Sequence, residues 1–175
     1  MIKKTPWTER KFNFDFPVSN FPVIYSRLSG TSVRIEDLVR SISDEQLEIK
    51  PGGKWSVKEH IGHLADIEEL HEGRLEDYKN RTGILRAADM QNKKTFEANH
   101  NASSISKLLN DFRKSRNQFL RHLENLDEAA LSQSAIHPRL QKEMRLVDMA
   151  YFVAEHDDQH LAVIREILEL PGDET

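Results

Sequence analysis

His156 and His160 stand one helical turn apart in the stretch Glu155-His156-Asp157-Asp158-Gln159-His160-Leu161. On a helix that spacing sends both imidazoles from one face, where they can converge on a single divalent ion. Cysteine is absent, so disulfides, thiolate ligands and a cysteine nucleophile are excluded, and any metal site must be built from His, Asp or Glu. Spacing alone is weak evidence in a chain with eight histidines. Position strengthens it: both rings fall inside the apolar arc of Val153, Ile164 and Ile167, where two uncharged imidazoles need buried partners. A metal ion is one such partner.

Asp157 lies on the same inward arc, while Asp158 and Gln159 point outward. In the His-Glu-x-x-His helix of zinc peptidases the residue after the first histidine is the general base, and here an aspartate takes that place. The same carboxylate could instead orient a ligand, bind the ion itself or pair with a buried Arg or Lys. Asp157 is thus the candidate catalytic residue. A third ligand has to come from another helix, and His60, His63 and His71 are available. Periodicity favours His60, which is nearest the centre of its apolar stripe. His100, His122 and His137 read as surface residues.

Four segments with a helical period must position these groups. Ile24, Leu28, Ile35, Leu38, Val39 and Ile42 share one arc of the first, with Asn20 and Pro22 suited to its start. The second opens at Ser56, where Ser56 and Glu59 form a capping box after the turn Pro51-Gly52-Gly53, and runs to about Asn80. Val57, Ile61, Leu64, Ile67, Leu75 and Tyr78 make its stripe. The third keeps a three-and-four spacing from Ile105 through Leu108, Phe112, Phe119 and Leu123 to Leu126, with a cap at Ser103. The fourth carries Leu146, Met149, Ala150, Val153, Ile164, Ile167 and Leu168 and is stopped by Pro171-Gly172. The expected fold is all-α, a four-helix bundle. Residues 81–101 are polar and longer than an ordinary bundle connection, as segments that cover a site often are.

At the N-terminus Phe12, Phe14 and Phe16 alternate with polar residues in the two-residue period of extended chain. Three parts follow: an arm (1–20), a bundle domain (21–170) and a short tail (171–175). The arm either lies along its own bundle or crosses to a second subunit. With 29 acidic and 25 basic residues interspersed and a net charge of -4, the chain has no basic stripe for nucleic acid. No apolar run approaches the roughly 20 residues needed to span a bilayer, and Met1 to Lys11 is too polar for a signal peptide, so a cytoplasmic protein with no membrane partner is expected.

The stretch Gly52-Gly53-Lys54-Trp55-Ser56-Val57-Lys58-Glu59-His60-Ile61-Gly62-His63-Leu64-Ala65-Asp66, taken with Glu155 to Leu161, closely resembles the DinB/YfiT-like superfamily of metal-dependent enzymes. The resemblance covers about Phe21 to Leu170. It implies an up-down-down-up bundle, usually dimeric, holding nickel or zinc on three histidines. The histidine directly before Leu-Ala-Asp is then the first ligand, which selects His63, and the others fall on His156 and His160. Trp55 packs and Ser56 caps at the start of the second helix. Family members include thiol transferases that join bacillithiol or mycothiol to electrophiles, and a mycothiol-dependent isomerase.

The resemblance therefore implies a metal-dependent enzyme acting on a small molecule, with the ion activating water (a hydrolase) or a low-molecular-weight thiol cosubstrate (an S-transferase). Three protein ligands and a vacant position form a catalytic pattern, whereas structural sites are usually closed by four. The alternative is a non-catalytic metal-binding stress-response module. A homodimer is expected from the resemblance and from the aromatic residues of the arm, which expose more apolar surface than a solvated tail should.

Overall fold

The computed structural model, which describes residues 4–170, turns each of the four apolar stripes into a long helix. Helix α1 (Phe21–Val39) starts at Asn20 with Pro22 in its first turn. A one-turn helix α2 (Asp44–Leu47) follows, and then the Pro51–Gly53 turn, where Gly52 and Gly53 take φ of 57° and 72°, open to residues without a side chain. Helix α3 (Val57–Lys79) has the expected capping box: the Glu59 amide donates to Ser56 Oγ at 3.1 Å and the Ser56 amide to Glu59 Oε2 at 2.9 Å. Short α4 (Lys93–Glu97) interrupts the long connection to α5 (Ile105–Glu124). The cap of α5 is Ser104, whose Oγ accepts from the Lys107 amide, and not Ser103. After α6 (Glu128–Leu131) comes an antiparallel hairpin, β1 (Ser134–His137) and β2 (Lys142–Arg145), leading into α7 (Leu146–Leu168). No period in the sequence marks these strands, because four residues are too few to declare one. The expected stop at Pro171-Gly172 and the tail lie outside the described residues.

The order of the helices explains the long connection. Each of α1 and α3 packs between α5 and α7. Helices α3 and α5 run parallel, since Glu68 meets Arg116 and, further along both, Glu72 meets His122. Helices α1 and α7 are also parallel, as the Arg27–Glu155 and Arg34–Asp158 pairs show. Between α3 and α7 the direction reverses: His60 meets His160 near the start of α3, while Tyr78 Oη near its end donates to Met144 O, just before α7. The arrangement is up-down-down-up. Because α3 and α5 are parallel, the chain leaving α3 must return along the ~34 Å length of a 23-residue helix before α5 can begin. Residues 80–104 make that return and wall one side of the α3/α7 groove.

Two apolar clusters fill the bundle, one around Leu28, Phe119, Met149 and Val153 and the other around Ile35, Ile61, Leu64, Phe112 and Ile164. A polar layer separates them. Arg116 of α5, 1% exposed, donates from Nη2 to Glu68 Oε1 of α3 at 2.6 Å and to Asp157 Oδ1 of α7 at 3.0 Å, and from Nη1 to Leu28 O of α1 at 3.2 Å. All four long helices meet on this one guanidinium.

The arm lies along its own bundle. Phe12 is buried in the first cluster, with Trp7, Phe14 and Phe16 packed against it, so the two-residue alternation is expressed as burial. Arg145 Nη2 donates to the Phe14 and Phe16 carbonyls at 2.9 and 2.8 Å, and Arg10 pairs with Glu155. The arm's aromatic residues are thus covered within the chain, and the homodimer expectation rests on the family resemblance alone. Among the described residues no helix is long and apolar enough to cross a membrane.

Candidate metal centre

The antiparallel α3/α7 pair brings His63, His156 and His160 together, with one ring nitrogen of each within 4.8 Å of the others. His160 Nε2 and His156 Nε2 are 3.2 Å apart. Two nitrogens bound at ~2.1 Å to one tetrahedral ion stand about 3.4 Å apart, so the spacing suits a shared ligand. The donor chemistry fits as well. Burial pushes His63 down to about 4, with nearby histidines adding to the fall, and burial followed by the neighbouring rings holds His156 and His160 well below the usual imidazole value. All three rings are therefore neutral at pH 7, as metal ligands must be. The cluster is also short of protein hydrogen bonds: His156 Nδ1 is buried with no partner among the described residues.

Surrounding groups orient the rings. His63 Nδ1 bonds Thr95 Oγ1 at 3.1 Å, Thr95 Oγ1 donates to Asp66 Oδ2 at 3.0 Å, and His100 Nε2 donates to the same oxygen at 2.8 Å. A carboxylate at the end of that chain keeps the proton on Nδ1 and leaves His63 Nε2 free for an ion. Gly62 permits the arrangement, since a Cβ there would lie 2.3 Å from the His100 ring. His160 Nδ1 meets His60 Nδ1 at 2.9 Å, so the ring that periodicity preferred as ligand instead supports one. Trp55 covers the rings, with centroids 4.9 Å from His63 and 6.4 Å, stacked, from His160. Trp7 of the arm and His156 are 5.1 Å apart.

The structure corrects the reading of Asp157 as a catalytic base. Its carboxylate is 0% exposed and faces α1 and α5, accepting from Thr31 Oγ1 at 2.8 Å and from both terminal nitrogens of Arg116. It is absent from the wall of the cavity that the three imidazoles share. Of the roles open to it from sequence, pairing with a buried arginine is the one the packing realises. Burial alone would raise the partner Glu68, but the charge of Arg116 and the hydrogen bonds from His71 and Arg116 together outweigh it and hold that carboxyl down at about 2. His71 Nδ1 bonds Glu68 at 3.2 Å and is not part of the triad. His100 and His137, expected at the surface, are buried, because the return segment and the hairpin fold onto the bundle. His122 is exposed.

The imidazoles open into a cavity of about 850 Å³. Its wall is α3 from His63 to Arg74, the return segment from Arg86 to Thr95, the hairpin turn, and Phe152 of α7. Residues 27–164 match the DinB superfamily. The chain belongs to the DinB superfamily. No curated protein matches it significantly. Among solved structures it is similar to YfiT from Bacillus subtilis, described as a probable metal-dependent hydrolase with an unusual four-helix bundle topology, at 18% identity over 91% of each chain and a TM-score of 0.77.

Within this DinB-superfamily bundle, sequence reasoning missed Thr95, Asp66 and His100 as groups that orient a ligand. Asp66 was visible three residues after His63, on the same helical face; Thr95 and His100 lie on the return segment, where no period marks them. Asp66→Asn is expected to lower metal affinity roughly 10- to 100-fold without abolishing binding, as loss of an outer partner does. Chelator competition measures it, and an unchanged affinity would remove the relay from the site's design.

Proposed function

We propose that the chain is a metal-dependent enzyme in which His63, His156 and His160 hold a divalent ion, nickel or zinc, at the inner end of a substrate cavity. The observation that carries this is three neutral imidazoles converging beside open space, with no fourth protein ligand in the cluster among the described residues. An ion held there supplies Lewis-acid chemistry, lowering the pKa of a water or of a thiol. The chain's own residues do the rest. His60 and the Thr95–Asp66–His100 relay fix two of the rings, and Trp55 and Trp7 exclude water from their outer faces. A homodimer belongs to this reading through the family resemblance.

The description of YfiT as a probable metal-dependent hydrolase supports water activation. A second reading, transfer of a low-molecular-weight thiol, is favoured by the state of the cavity's acids. Asp66 is engaged by His100 and Thr95, Glu69 by Lys94, and Asp89 by the Gln91 and Lys93 amides, so among the described residues no unpaired carboxylate stands by as a base. A thiol whose pKa the ion lowers has less need of one.

Protein loaded with zinc or nickel should turn over either ester and amide substrates or a thiol with an electrophile, and chelation should remove that turnover. Tight stoichiometric metal binding with neither activity across a broad panel would favour the non-catalytic stress-response module.

A further inference from the structure

We propose that Arg74, Arg139 and His137 form a subsite for an oxyanion of the substrate, a carboxylate or phosphate group, in the wall of the cavity that holds the three imidazoles. The inference rests on the reading of that cavity as a substrate site and names the class of molecule it takes. All three residues line it.

Arg74 of α3 is 3% exposed, yet its one side-chain hydrogen bond runs from Nε to Arg86 O at 3.2 Å, and it pairs with no carboxylate among the described residues. Arg139, on the hairpin turn, has no carboxylate partner among the described residues either, and its Nη2 is buried without a hydrogen bond to them. Its guanidinium rests 5.7 Å from the Phe152 ring, which gives it a fixed seat beside the cavity. His137 is 2% exposed, and its Nδ1 accepts from the Leu140 amide at 3.2 Å. The ring proton therefore sits on Nε2, which is buried and has no acceptor among the described residues. Two guanidiniums and one imidazole thus line the cavity with donors that meet no carboxylate among the described residues.

Other cations around the cavity are neutralised. Arg86 is held by Asp77, whose Oδ1 accepts from Nη2 at 2.8 Å, and Lys94 by Glu69. The three residues also lie close enough to feel one another: burial first, then the charges of Arg74 and Arg139, pushes His137 down to about 4. Burial lowers Arg74 to about 10 against the opposing pull of Tyr78 and Asp77, with Arg139 and Arg86 adding to the fall. Elsewhere the fold pairs its enclosed arginines, as Arg116 with Asp157 and Glu68 and Arg145 with Asp148. A buried cation without a counter-ion is costly, and a carboxylate or phosphate satisfies all the free donors at once. His63, His156 and His160 line the same cavity, which puts the anion site and the imidazoles in one chamber, with the reacting group of the substrate turned toward the rings.

The test uses the full chain, zinc-loaded and chelator-treated, titrated by calorimetry and thermal shift with inorganic phosphate and with succinate, and with succinamide as the uncharged control. Binding of phosphate, succinate or both in the two metal states, and none of succinamide, is the expected result; the preferred anion tells a phosphate ester from a carboxylate substrate. Arg139→Gln should weaken that binding about tenfold to a hundredfold, and Arg139→Lys less. The same Arg139→Gln substitution should leave the Tm of the ligand-free protein unchanged or raised, since a half-buried charge without a carboxylate partner among the described residues is removed; a marked fall would mean that Arg139 is a structural residue and overturn its role here. His137→Gln carries the test if Arg74→Gln does not fold. Absence of anion binding in both metal states overturns the proposal. So does binding that needs zinc, survives Arg139→Gln and is lost in His160→Ala, because the anion then sits on the metal. Anion binding retained in a protein that takes up no metal sustains the subsite and makes the metal reading the one that fails.

Discussion

His160→Ala is expected to abolish stoichiometric metal binding and, with it, the rise in Tm that metal confers on the wild-type chain. His160 is the ring nearest the middle of the cluster, with centroids 4.5 Å from His156 and 4.9 Å from His63. Its loss leaves two imidazoles that no longer enclose a position. A ligand that binds only the folded state stabilises it by mass action, about 4 kcal/mol when present at a thousand times its Kd. For a chain of this size that is a Tm difference of roughly 10 °C between metal-loaded and metal-free protein, present in the wild type and missing in the variant. His71→Ala is the control, because His71 bonds Glu68 and stands outside the triad. Elemental analysis and melting curves on the two variants decide the matter, and equal loss of metal in both would mean that the wrong rings have been named.

Asp157→Asn should cost about 3 to 5 kcal/mol of stability while leaving metal content and turnover per folded molecule near wild type. Removing one partner of a buried ion pair leaves the other charge under-compensated where water cannot reach it, and that accounts for the size of the effect. Here the partner is Arg116, which holds Leu28, Glu68 and Asp157 from three different helices. The polar layer sits between two apolar clusters, so its loss also removes the feature that sets how the four helices register against one another. Denaturant unfolding beside a metal assay separates the outcomes. Wild-type stability with turnover reduced by 10² to 10⁴ would restore Asp157 to the base role that its position after His156 first suggested.

The local sequence by itself determined the four long helices, their inward faces and the cap at Ser56, because a helix's apolar period and its first-turn hydrogen bonds are written in adjacent residues. It also determined that His156 and His160 leave one face together, and that the arm buries alternate residues. Periodicity on α3 pointed to His60, and only the Leu64-Ala65-Asp66 context, through family resemblance, selected His63. Tertiary structure decided the remainder. Whether inward-facing Asp157 met a metal or an arginine depended on which residue of α5 arrived opposite it, and nothing within α7 encodes Arg116. Thr95, His137 and Arg139 reached the cavity, and His100 the relay through Asp66, for a similar reason. They lie on the return segment and the hairpin, whose placement follows from α3 and α5 running parallel and from chain folding back over the α3/α7 groove, and pairings between residues distant in sequence leave no period to read.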